Sequence, residues 1–276
     1  MTTLQKVIKY LAIAFAIFLI VTIIGAVLGA VGLLGVLFTK DDATQEADIG
    51  DMKTYSITSE IHSLNIRINA ADFCIKDGTV FSVESNLKNL GVVDQNGTLT
   101  IHDPTKIKLN TSSAYENAVL TIYIPSGTVF EKVNIHTGAG KFTVDSLSAD
   151  TVDFELGAGD VSINTLVAAK SADIEGGAGR ITISGGALKN LDLEMGVGQL
   201  NLTSALTGEC QLDLGIGESN ITLTGNRENY KLDLEKGIGN ITVDGERVSD
   251  YGSSGNGTAK VEISGGIGSI HVRFAQ

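Results

Sequence analysis

Ten carboxylates recur at two fixed heights along the second half of the chain. Asp153, Asp173, Asp192 and Asp233 occupy one column, and Glu155, Glu175, Glu194, Asp213 and Glu235 occupy another, each offset by two residues. Asn134, Gln211 and Glu262 complete the first column, and His136 and Ser264 the second. Carboxylates in such an array can concentrate Ca²⁺, Mg²⁺ or cationic peptides, and a close pair can serve as acid and base on a glycosidic bond. Neighbours about 5 Å apart repel by about 0.8 kcal/mol in water and about 3 kcal/mol at an effective dielectric of 20. Calcium takes roughly six to eight oxygens, and no local loop supplies them, so weakly bound divalent cations compete with a plainly solvated acidic face. The ladder singles out no one pair, and the sequence is read as non-enzymatic, with no catalytic or cofactor-binding residues.

Other chemistry is sparse. His62, His102, His136 and His271 are scattered, and no Cys-Xaa-Xaa-Cys or paired-histidine metal spacing occurs. Cys74 and Cys210 are too few for a disulfide framework; Cys210 falls in phase with Leu212 and Leu214 and is expected buried and inert.

What positions the carboxylates is a repeat. A Gly-Xaa-Gly triplet returns seven times, at Gly138–Gly140, Gly157–Gly159, Gly177–Gly179, Gly196–Gly198, Gly215–Gly217, Gly237–Gly239 and Gly266–Gly268. The steps between first glycines are 19, 20, 19, 19, 22 and 29 residues. A period of this length marks a solenoid, in which no repeat can bury its apolar face alone. Three residues before each triplet stand Ile135, Phe154, Ile174, Leu193, Leu212, Leu234 and Ile263. Six after its first glycine stand Val144, Ile163, Ile183, Leu202, Ile221, Val243 and Val272. Between these apolar columns run polar ones, including Thr143, Ser162, Thr182, Asn201, Asn220, Thr242 and His271. A period of two means strands with one buried face. Each coil thus carries two strands joined at a glycine corner, and the residue between the glycines is expected to point inward. Equivalent strands of successive coils pair in parallel. An antiparallel meander would also alternate, but it leaves the fixed coil length without a cause.

The 276 residues are 43% hydrophobic, ample for a core, with a net charge of −12. Beyond residue 39 there are 18 basic and 32 acidic residues, a balance of −14, which speaks against nucleic-acid partners and against lying on anionic lipid. Residues 1–10 carry Lys6 and Lys9, and residues 11–38 carry no charge. That stretch is long enough to span a bilayer as an uncleaved signal anchor; a cleaved signal peptide would have an apolar region about half as long. The flanking charges put the N-terminus in the cytoplasm and the remainder outside a cell membrane. Gly25 and Gly29 form a small-xxx-small pair that could pack two such helices together.

Residues 39–54 read as an acidic linker and 55–133 as irregular opening coils that cap the solenoid. Within the latter, Asn96-Gly97 signals a hairpin and Pro125-Ser126-Gly127 ends a strand. Regular repeats fill 134–276, lengthened by an exposed, proteolytically soft loop at 246–258.

The segments Ala118–Gly127, Val133–Gly140 and Ile61–Gly78, with the later triplets, resemble the bacterial putative-adhesin domains of unknown function. The resemblance covers Tyr55 to the C-terminus. It implies an all-β, single-stranded, right-handed parallel solenoid of 19–20 residues per coil, behind one transmembrane helix, outside a bacterial membrane. It implies an adhesin-like structural or interaction role, or a sensing subunit in envelope-stress signalling. A polysaccharide-active enzyme is the third reading. It transfers no functional residue, and the partner stays unnamed.

Overall fold

The computed structural model describes residues 49–104, 117–248 and 251–275. The span read at 11–38, with Gly25 and Gly29, lies outside them. Among the described residues no helix is long and apolar enough to cross a membrane.

Sixteen strands form one sheet, and the described residues are all-β apart from a 3₁₀ turn at Arg227–Asn229. In chain order they are β1 (Ile49–Ser56), β2 (Ser63–Ala70), β3 (Asp72–Gly78), β4 (Ser82–Leu87), β5 (Gly91–Gln95), β6 (Thr98–His102) and β7 (Val119–Pro125). Then come β8 (Phe130–Ile183), β9 (Gly186–Lys189), β10 (Leu191–Thr207) and β11 (Glu209–Thr224). The last are β12 (Tyr230–Glu235), β13 (Ile238–Val243), β14 (Glu246–Arg247), β15 (Tyr251–Ser254) and β16 (Ala259–Ala275). β8 runs for 54 residues through three corners, because the glycines let the chain bend while the ladder continues.

Pairing between coils is parallel, with the triplets in register. Gly198 faces Gly179 on one side and Gly217 on the other, and Glu194 stands between Glu175 and Asp213. The apolar columns stack into a core that includes Phe154, Ile174, Leu193 and Leu212, all buried. Phe73 stacks on Phe142 at 4.6 Å, and Phe154 meets Phe142 edge-on at 6.0 Å, which anchors the N-terminal half. Three middle coils also carry a third paired run beyond the two strands expected: Ala187–Lys189 lies on Ala205–Thr207, and Gly186–Leu188 on Leu166–Ala168, with Leu166, Leu188 and Leu206 buried.

The coils do not stack in chain order throughout. β11 pairs with β16, and β16 pairs on its other side with β12 and β13. The seventh coil therefore lies between the fifth and the sixth. The physical reason is edge cover. The insertion at 246–258 supplies β14 and β15, which pair antiparallel with β13 and β12, so the sixth coil has its outer edge closed by its own loop and must be outermost. That insertion is accordingly part strand, where the sequence suggested only an exposed loop. The opposite end is arranged alike. β2 and β3 lie between β6–β7 and the first coil of β8, and β1, β4 and β5 add antiparallel pairs outside. Asn96 (φ 52°) and Gly97 (φ 73°) form the expected hairpin turn between β5 and β6. β1 starts at Ile49, inside the stretch read as linker, because it pairs with β4.

Candidate functional site

The glycines make the site. An added Cβ on Gly196 would lie 2.4 Å from the carbonyl oxygen of Gly177, and one on Gly217 would lie 1.7 Å from that of Gly198, where φ is also +146°. Backbones therefore approach too closely for any side chain, and the first glycines line up as a bare floor. Beside that floor stand His136, Glu155, Glu175, Glu194, Asp213 and Ser264, one from each successive coil. Floor and side chains enclose a trench of about 630 Å³, with Leu156, Met195 and Leu214 also in its lining.

At the residues between the glycines the structure corrects the sequence reading. Ala139, Ala158, Ala178, Val197, Ile216, Ile238 and Ile267 are all exposed, whereas an inward direction was expected. The inward seats at the corner belong to the residue before the triplet and the residue two after it, such as Met195 and Leu200, both buried. Those seats are five residues apart, so the period of two breaks across the bend and the middle residue falls on its convex side. The ridge coarsens along the stack, from alanine to Val197 (52% exposed), Ile216 (40%), Ile267 (37%) and Ile238 (47%).

The carboxylates are brought together as a stripe, with two changes. Glu155, Glu175, Glu194 and Asp213 follow one another, but Ser264 separates Asp213 from Glu235 because of the inserted coil. In the first column Asp173 faces Asp192, then Gln211 and Glu262 intervene before Asp233. His136 Nδ1 contacts Glu155 Oε2, and Gln211 donates to Asp213 Oδ2 at 2.9 Å. Glu175 and Glu194 have no hydrogen bond or ion pair among the described residues. Desolvation, then the charges of Asp173, Glu194, Glu155 and Asp153, raise the Glu175 carboxyl above its usual range. Asp173 is raised by desolvation and by Asp192, Asp153 and Glu155. Asp233 moves the other way, lowered by a hydrogen bond from Ser253 and then by Lys231.

Among the described residues no three His, Cys, Asp or Glu side chains converge as metal ligands. Cys74 and Cys210 are free; Cys210 is buried, and desolvation raises its thiol. On the strand after each corner the polar column links coil to coil: Asn220 donates to Asn201 at 3.2 Å, and Thr242 meets His271 at 2.9 Å.

Residues 54–256 match the family described as Toastrack DUF4097. The chain belongs to that family. The match takes in the segments that carried the adhesin-domain resemblance and stops before β16, so the inserted coil of this Toastrack chain lies beyond it. Its solenoid is similar to a putative adhesin from Bacteroides fragilis, at 13% identity and a TM-score of 0.41, covering 80% of this chain and 96% of that one. It is also similar to a putative cell adhesion protein from Clostridium sporogenes, at 14% identity and a TM-score of 0.34, covering 82% and 99%. A putative lipid binding protein from Parabacteroides distasonis matches at 14% identity and a TM-score of 0.35, covering 82% and 98%. Likenesses at TM-scores below 0.5 do not carry over what those proteins bind. No curated protein matches the sequence.

Proposed function

We propose that this Toastrack chain is a non-enzymatic interaction module, held outside a bacterial membrane by residues 11–38. The observation that carries the reading is the trench, in which successive coils offer Glu155, Glu175, Glu194 and Asp213 in register. A repeated surface with one equivalent group per coil suits extended contact with a partner, whereas catalysis concentrates unlike groups at one point. Two carboxylates held above their usual range leave the face electrostatically unsatisfied, and a cationic partner or weakly held divalent ions relieve that repulsion.

The test is the full chain displayed on cells, compared with the E155Q/E175Q/E194Q/D213N variant. Protease added to intact cells should remove the solenoid, and chain-dependent attachment to envelope material should fall at least tenfold in the variant. Turnover of a cell-wall polysaccharide that disappears on Glu194→Gln would overturn the reading in favour of an enzyme. Exchanging residues 1–38 for an unrelated anchor should leave attachment intact; loss of a stress response instead would assign the chain to signalling.

A further inference from the structure

Resting on the interaction-module reading, we infer that the trench and the apolar ridge dock a basic amphipathic α-helix lying along the solenoid axis. An acidic side and an exposed apolar ridge lie within three residues of one another on each coil. Glu175, Glu194 and Asp213 line the trench two residues before the first glycines, and Val197, Ile216 and Ile267 are exposed one residue after them. Exposed β-branched side chains in register on adjacent coils make a continuous apolar strip, unlike the singly scattered apolar residues of an ordinary surface. The strip lies beside negative charge, so its occupant carries apolar and positive groups side by side.

Spacing selects a helix over an extended peptide. Coils repeat at about 4.8 Å, so Glu175 to Asp213 spans about 9.6 Å in two steps. A helix places one residue per turn over a given line, about 10.8 Å in two turns, a mismatch of about 1.2 Å. An extended strand sets same-face residues about 6.8 Å apart, and after two steps it has drifted by about 4 Å. The width agrees. From His136 to Ser264 the trench spans five steps, about 24 Å, so its 630 Å³ leaves a cross-section of about 26 Å². That admits a row of side chains but not a whole helix, about 10 Å across with its side chains, so the helix rides above the floor with lysines or arginines turned toward the carboxylates. A length of about 24 Å corresponds to about sixteen helical residues.

The experiment uses the full chain in phosphatidylcholine nanodiscs, with empty discs subtracted. The probe is a designed fluorescent sixteen-residue helix of leucine and lysine, its lysines confined to one face. Oligolysine of equal charge and the same helix with glutamate for lysine are the comparisons. The lysine helix should bind in a salt-sensitive manner, at least tenfold tighter than oligolysine, and the glutamate helix should not bind. E175Q/E194Q and I216S/I267S should each weaken binding at least tenfold without lowering the melting temperature. V197S repeats the ridge test should the double variant melt early. Equal binding of oligolysine, or no change in any variant, overturns the inference. A dimer in sedimentation that I216S/I267S abolishes would assign the ridge to a second copy of the chain and overturn it as well. Envelope attachment that is lost in E155Q/E175Q/E194Q/D213N, with no helix binding, removes the helix and leaves the module; helix binding without any effect on attachment does the reverse.

Discussion

At both ends of the solenoid the outermost rung is the neighbour of the chain's terminal rung in sequence, and the terminal rung sits inside it. β6–β7 lies outside β2–β3, and β12–β13 lies outside β16. The corners differ. The C-terminal rungs keep the triplet to the last coil, and Gly268 has φ +145° with only 1.7 Å between an added Cβ and the Gly217 carbonyl. The inner N-terminal rung turns through Asn69, Ala70 and Ala71, with no glycine and with φ at Ala71 outside the left-handed region. Gly138, one rung up, already needs its glycine, because an added Cβ would meet the Asn69 carbonyl at 2.3 Å. The first glycine of a triplet is thus demanded by the rung below, and the second by that rung and by its own φ together.

The largest effect should follow truncation after Thr258. Loss of β16 strips β11 and β12 of a shared partner, a cost above about 5 kcal/mol if the sixth coil cannot close the gap. Amide exchange at Leu212, Leu214, Leu232 and Leu234 should become fast while that at Ile66 and Phe73 stays slow. Retained protection at all six would mean that the sixth coil re-docks on the fifth, and would sink the claim that the inserted coil is required.

Corner substitutions come next. Gly217→Ala should cost about 3–5 kcal/mol in urea melts, from its clash and its φ together. Ala71→Gly, at the matching N-terminal corner, should cost no more than about 1 kcal/mol. Similar values for the two would show that the bend itself, rather than stacking, fixes the residue.

Each end also has one buried hydroxyl joining strands. Tyr230 donates to Thr224 O at 2.7 Å and accepts from Leu206 N at 3.2 Å, and its ring lies 5.6 Å from Phe274. Ser85 donates to Val119 O at 2.7 Å and accepts from Leu87 N at 3.1 Å. Tyr230→Phe leaves a buried N–H unpaired and should cost about 2 kcal/mol; Ser85→Ala, close to solvent-side strands, should cost about 1 kcal/mol, both by thermal melts.

The smallest effect concerns the middle coils against both ends. Asp173 and Glu175 are raised, so the folded chain holds protons that the unfolded chain releases. Stability should therefore increase as pH falls from 7 into the window just above the ordinary carboxylate range, and then level off once both forms are protonated. D173N/E175Q should raise the melting temperature by a few degrees at most at pH 7 and flatten that profile. An unchanged profile would remove these two groups as its cause.

Much of this was legible in residue spacing. The columns at Leu193 and Leu202 alternate with polar residues, which specifies half-buried strands, and the fixed coil length makes their pairing parallel and in register. The direction of Val197 was not, because alternation cannot be carried through a three-residue bend whose two inward seats, Met195 and Leu200, are five residues apart. Coil order was not legible either. The sixth and seventh coils present the same columns, and Leu234 or Ile263 could equally rest on Leu212. Only the longer steps of 22 and 29 residues hinted that the path changes there. The carboxylate stripe was recovered for Glu155 through Asp213 and misplaced at Glu235 for that same reason.

The inserted seventh coil has a consequence for biosynthesis. A stack assembled strictly in order could consolidate rung by rung as the polypeptide emerges. Here the slot between two earlier rungs stays vacant until residues 259–275 arrive, so a chain stalled or clipped before that point presents two open strand edges to passing chaperones and proteases. The final stretch therefore doubles as a completion check on folding.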